Sequence, residues 1–211
     1  MRITVLVCLC LCCALAMVLL KLFVPRSGKW LWALAGSFLI SIAGDWFLRS
    51  PSSETDSIFG IAGYFIAHAG FLAYGWVVIT GRRKFSWVVF GVILVPFLSF
   101  YFVSLRLSQL MQNNVLLAIA ALIYLLISCL SLAASIDVKS GWRPSWTWGY
   151  ALGIACLLAS DTLIALNSFL RLRGYGHYIL PLFYTSYVLI AGSVIFQNLF
   201  LKGHGHEPRS K

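Results

Sequence analysis

The sequence predicts an all-α protein, a polytopic transmembrane bundle of seven helices. Three observations lead there. Of 211 residues, 61% are hydrophobic and 10% charged, whereas a soluble domain carries about 25% charged residues. The apolar residues fall into seven runs, each near the roughly 20 residues with which a helix crosses a bilayer. The connections between runs are short, typified by "GRRKF" at 81–85 and "RLRGYGH" at 171–177. No second domain fits, so residues 1–201 are expected to form one membrane domain and 202–211 a polar cytoplasmic tail.

The first span is expected at 3–24. Arg2 precedes it and Ala14-Leu15-Ala16 resembles a leader-cleavage site, but the apolar run continues to Val24, which favours an uncleaved helix. The second, 29–49, sets Ser37, Ser41 and Asp45 at i, i+4 and i+8, one polar face on an otherwise apolar helix. The third, 58–80, repeats that spacing with Gly60, Tyr64 and His68. The fourth is expected at 86–105. The fifth, 114–137, carries Tyr124, Ser128, Ser131 and Ser135 on one face, the pattern of a packed helix interface. The sixth, 147–170, contains Asp161, with Gly149 and Gly153 permitting close approach of a neighbour. The seventh, 178–201, presents Tyr184 and Tyr187.

A net charge of +10 would suggest nucleic acid in a soluble protein. Here the basic residues lie between apolar runs, as topology determinants do, so the expected partners are the bilayer and its lipids and no nucleic acid. With seven spans, one side holds Arg2, Arg49, Arg106, Arg171 and Arg173 and the other holds the remaining eleven Lys and Arg. The positive-inside rule then puts the C-terminus in the cytoplasm and the N-terminus outside or in a lumen, in a cell inner membrane or the endoplasmic reticulum. Seven of eight tryptophans fall near the cytoplasmic boundary, as an interfacial belt would. All six cysteines lie inside apolar runs, where a thiol is a small hydrophobe, so neither a disulfide framework nor a metal site is expected.

Asp45 and Asp161 lie well inside spans, while Glu54, Asp56 and Glu207 are expected outside them. An ionised Asp at a helix centre costs about 2.5–3.5 kcal/mol on insertion scales, which makes intramembrane acids candidate functional residues. "IAGDWFL" (42–48) and "LASDTLI" (158–164) form a short internal repeat; His68 and Tyr184 each follow their aspartate by 23 residues. A parallel repeat of helices 2 and 3 with 6 and 7 would follow. There is no GxSxG elbow, HExxH or phosphate-binding glycine loop, and no cofactor is expected. Two classes stay open: an acid/base enzyme, or a non-enzyme in which the acids couple protons in a small transporter or simply join helices of a lipid-binding protein.

"AGDWFL…FGIAGYFIAHAGF" (43–71) resembles the first signature of the YhhN-like family of lysoplasmalogenases, and "LLASDTLIALNSF" (157–169) resembles the second. "YTSYVLI" (184–190) is similar to the family's closing segment. The chain departs from the family in reading as seven spans where members usually read as eight. It also has Arg2-Ile3 for Lys-Pro, Phe71 for Tyr, and Tyr187 where Gln or His is usual. The resemblance implies hydrolysis of the vinyl-ether bond of a lysoplasmalogen to a fatty aldehyde and a glycerophospho-alcohol, without cofactor or metal. It implies Asp45 and Asp161 as acid and base, His68, Tyr64, Tyr184, Tyr187 and Ser41 as positioning groups, and Arg49, Arg171 and Arg173 near the headgroup.

Overall fold

A computed structural model describes residues 2–24, 29–49, 54–80, 85–107, 114–136, 145–169 and 176–200. They form seven helices: α1 (Arg2–Phe23), α2 (Trp30–Arg49), α3 (Glu54–Tyr74), α4 (Trp87–Leu107), α5 (Val115–Ile136), α6 (Ser145–Phe169) and α7 (Gly176–Phe200). The described part of the chain contains no strand. The third helix starts at Glu54 rather than at 58, so Asp56 lies inside it and not in a connection. Six helices, α2 to α7, are long and apolar enough to cross a membrane; α1 contributes the shorter apolar stretch Val7–Phe23. Arg171, Arg173, Asp137 and the tail 202–211 lie outside the described residues, as does the side chain of Arg49.

Helix packing closes a ring. α1 packs on α2, α2 on α3, α3 on α5, α5 on α6, α6 on α7, and α7 back on α1. α4 stands outside this ring against α5, where the Tyr101 hydroxyl donates to the Ala118 carbonyl at 2.8 Å. Its peripheral place explains its composition: most of its surface meets lipid, and Tyr101 and Ser104 are its buried residues. Pro96 interrupts its backbone hydrogen bonding without breaking the helix.

The outer surface of the ring is apolar, as an integral membrane protein requires. Leu39, Trp46, Ile66, Val92, Leu152 and Val188 are all exposed, and in water such a surface would be an aggregation hazard. Trp32, Trp76, Trp87 and Trp148 are exposed at one end of the bundle, and the Lys29 ammonium sits 5.7 Å above the Trp30 ring there.

Inside the ring, α1 shows the expected division of faces: Cys10, Cys13, Ala14, Met17 and Leu20 are buried while Leu11, Leu15, Leu19 and Leu22 face out. All six cysteines are free thiols. The core centre is aromatic. Phe38 meets Phe71 and Tyr187 edge-on at 5.5 and 5.2 Å, and Phe183 lies 4.4 Å from Tyr187.

Glycine sets how closely the two most intimate helix pairs approach. A Cβ on Gly63 would lie 3.1 Å from the Cα of Gly44, so α2 and α3 touch backbone to backbone. A Cβ on Gly153 would lie 2.7 Å from Ile190 Cγ1 and 3.0 Å from the Ser186 carbonyl of α7. Small residues at such contacts are what membrane helices use in place of a hydrophobic driving force. The α2–α3 and α6–α7 pairs are the two units that the repeat in the sequence anticipates.

Candidate active site

The polar face predicted on α2 does point inward: Ser37, Ser41 and Asp45 are buried while Leu39 and Phe47 on the other faces are exposed. The two serines spend their protons on their own helix. Ser41 Oγ donates to the Ser37 carbonyl and Ser37 Oγ to the Ala33 carbonyl, each at 2.9 Å, a local bond that competes with outside partners. Ser41 thus retains acceptor capacity alone, which narrows its expected positioning role.

Asp45 accepts a hydrogen bond at Oδ1 from the Tyr64 hydroxyl of α3. This contact depends on the Gly44–Gly63 approach, which brings the α2 and α3 backbones together directly beside it. Across the ring, Asp161 of α6 accepts at Oδ2 from the Tyr124 hydroxyl of α5 at 2.5 Å. The same Tyr124 oxygen is 3.0 Å from His68 Nε2, and His68 Nε2 is 3.4 Å from Asp161 Oδ2. With the Tyr124 proton given to Asp161, its oxygen must accept from His68. His68 is therefore assigned the Nε2–H tautomer, leaving Nδ1 with a lone pair and no partner among the described residues.

Two aspartate–tyrosine pairs face each other in this way. The Tyr64 and Tyr124 rings meet edge-on with centroids 6.4 Å apart, and the His68 ring stands 5.2 Å from Tyr124. The sequence repeat places His68 with Asp45, 23 residues earlier. In the folded chain His68 crosses to Asp161 of the other unit, and Tyr64, 19 residues on, serves Asp45. The crossing arises because α3 packs on both α2 and α5, so successive turns of its buried face look to different neighbours.

A cavity of about 250 Å³ opens beside these pairs, lined by α2, α3, α4, α5 and α6. Tyr64, Tyr124 and Asp161 stand together on its wall, Ser57, Tyr101, Ser104 and Thr162 add further polar groups, and Leu48, Ile61, Phe97, Phe100, Leu125, Leu158 and Ile164 are among its apolar lining. It occupies the half of the bundle where α2, α4 and α6 end and α3 and α5 begin, the half that the charge count predicts to face outward. Asp45 and His68 stand behind this wall and reach it through the two tyrosines. The predicted acids are therefore not equivalent: Asp161 lines the cavity and Asp45 does not.

A model of the YhhN family matches residues 2–194. The chain belongs to the YhhN family. Searches of curated proteins and of solved structures return no match. The match runs from α1 into the last turns of α7, so it takes in every site residue named above. The YhhN family includes lysoplasmalogenases and is consistent with a hydrolase.

Tyr187 is fully buried, with no partner for its hydroxyl in hydrogen-bond geometry among the described residues. Ser41, Asp45 and Asp161 lie within its electrostatic reach, so it belongs to the polar centre without lining the cavity. Tyr184 is half-buried against the core, and its hydroxyl is not among the groups lining the cavity. Arg49, Arg171 and Arg173, expected near the headgroup, fall outside the side chains described. Among the described residues, no group of three or more His, Cys, Asp or Glu is gathered as metal ligands would be.

Tyr124 is the candidate site residue that the sequence did not single out. Its place at the head of a Tyr, Ser, Ser, Ser stripe reads as packing, and two of the serines bond within their own helix: Ser128 donates to the Tyr124 carbonyl at 2.9 Å and Ser135 to the Leu132 carbonyl at 2.7 Å, while Ser131 is buried with no partner for its Oγ among the described residues. The signal was that a stripe of three serines begins with a tyrosine, whose hydroxyl reaches well past any helix surface. The α4 wall had no signal at all.

Proposed function

We propose that this protein hydrolyses the vinyl-ether bond of a single-chain alkenyl glycerophospholipid, releasing a fatty aldehyde and a glycerophospho-alcohol. The observation that carries this reading is one carboxyl, Asp161, held by Tyr124 on the wall of a mostly apolar cavity within the bundle. Vinyl-ether cleavage asks for little else. A proton goes to the alkene carbon remote from oxygen, and the adjacent carbon becomes an oxocarbenium ion. Water adds there, giving a hemiacetal that collapses to aldehyde and alcohol, so that the sum is one ether and one water giving one aldehyde and one alcohol.

Asp161 is the proton donor in this scheme, through the carboxyl oxygen not bonded to Tyr124, and it takes a proton back from the attacking water. It ends each cycle in its starting state. Tyr124 and His68 hold its plane, and Tyr64, polarised by Asp45 behind it, faces the cation that develops in the cavity. A positioned acid or base of this kind contributes about 10²–10⁴ in rate. The alkenyl chain lies along the apolar lining between α4 and the ring, and its headgroup reaches the end of the bundle where the sequence places Arg49, Arg171 and Arg173.

The test is purified protein with vinyl-ether lysolipids, read for aldehyde by mass spectrometry. Wild-type protein should release aldehyde, and folded Asp161→Asn and Asp45→Asn proteins should not approach its rate. Full aldehyde release by both variants refutes the acid/base assignment. Ion-dependent flux in proteoliposomes with no aldehyde from any lysolipid would instead favour the carrier reading, which the paired α2–α3 and α6–α7 units also suit.

A further inference from the structure

One group on the cavity wall has nothing to bond to. Ser104 of α4 is 4% exposed and lines the cavity together with Tyr124 and Asp161. Its Oγ has no hydrogen-bond partner among the described residues. Ser131 of α5 is also buried without a partner for its Oγ, but it does not line the cavity, and other serines of these helices satisfy themselves on the preceding turn. Ser99, one turn or so earlier on the same helix, donates to the Val95 carbonyl at 2.8 Å, and Ser37, Ser41 and Ser128 do the same on theirs. The other buried polar group of α4, the Tyr101 hydroxyl, is committed to Ala118. A buried hydroxyl without a partner is costly, more so in an apolar enclosure.

We infer that Ser104 binds the free hydroxyl of a single-chain lipid lying in this cavity, and so selects lysolipids over two-chain lipids. The inference rests on the proposed function for the placing of the lipid. In a vinyl-ether lysolipid the carbon bearing the free hydroxyl adjoins the carbon bearing the ether oxygen. With the alkene at Asp161, that hydroxyl is confined to the same cavity, where Tyr64, Tyr101, Tyr124 and Thr162 already donate their protons to other groups. A serine hydroxyl both donates and accepts, so it satisfies an alcohol in either sense. Esterifying that position removes the donor and brings a second chain into the space bounded by Phe97, Phe100 and Tyr101.

The probe is a saturated 1-O-alkyl lysolipid, which cannot be cleaved by this route, compared with its counterpart lacking the 2-hydroxyl. Binding of each to the full-length protein in detergent is followed by tryptophan fluorescence for wild type, Ser104→Ala and Ser104→Thr. Wild type and Ser104→Thr should prefer the hydroxylated lipid by about tenfold, the scale of one hydrogen bond in an apolar site. Ser104→Ala should bind both alike. Equal binding of the two lipids by wild type, or an unchanged preference in Ser104→Ala, overturns the inference. Because no bond is broken, failure of the reaction reading shows separately, as binding that depends on Ser104 with no aldehyde from the vinyl-ether lipid.

Discussion

Replacing Tyr124 with Phe removes one oxygen and leaves the packing in place, which makes it the sharpest probe of the site. The ring keeps its edge-on contacts with Tyr64 and His68. The hydroxyl takes with it a 2.5 Å bond to Asp161 and a 3.0 Å bond to His68. Asp161 enters the cycle as the protonated acid, so both are bonds between neutral groups, each worth about 0.5–1.5 kcal/mol net. Part of this returns, because His68 Nε2 already stands 3.4 Å from Asp161 Oδ2 and can close on it directly. The net loss therefore lies toward the lower end of their sum, about 1–3 kcal/mol. If that loss falls on the transition state, at about 1.4 kcal/mol per tenfold, kcat drops by roughly 10-fold. KM should hardly move, since Tyr124 orients the acid rather than the chain. Initial rates of aldehyde release across a range of vinyl-ether lysolipid concentrations, with thermal melts in the same detergent, give both quantities. A folded Tyr124→Phe protein with wild-type kcat would refute the view that this hydroxyl positions Asp161.

Asp45 acts on the cavity through Tyr64, so Asp45→Asn and Tyr64→Phe should each lower kcat while the double variant is little worse than either alone; additive losses would show that the two act independently. Gly153→Ala should destabilise the protein by about 1–3 kcal/mol through overpacking against α7, whereas Gly36→Ala, where a Cβ meets nothing within 4 Å, should cost nothing. Equal melting points for the two variants would contradict the close α6–α7 contact. A reporter fused after Lys211 should be active on the cytoplasmic side and silent outside, as the uneven distribution of Lys and Arg requires. Activity on the outer side would invert the placing of the cavity.

How much of the site was legible varies with the physics of each residue. Asp45 and Asp161 announced themselves because a carboxyl within an apolar span is costly enough to need a reason. His68 and Tyr64 followed from the i, i+4 spacing that puts them on the buried face of α3. Tyr124 did not, because a tyrosine heading a serine stripe has the same sequence appearance whether it packs or holds an acid. Ser104 was invisible, since its significance is the absence of a partner, which is a property of its surroundings.

The sequence by itself determined the class of fold, the number of helices, the inward face of α2 and the family, because each follows from composition, periodicity or motif along one chain. Its repeat also anticipated the two intimate helix pairs. Only the tertiary structure decided which aspartate lines the cavity and which partner each one has. Asp45 and Asp161 look alike in sequence, each in the order small residue, Asp, two residues, aliphatic. They differ because α4 packs outside the ring against α5 and leaves a cavity beside α6 and not beside α2's aspartate. That asymmetry arises between helices distant in sequence, where no local pattern carries it.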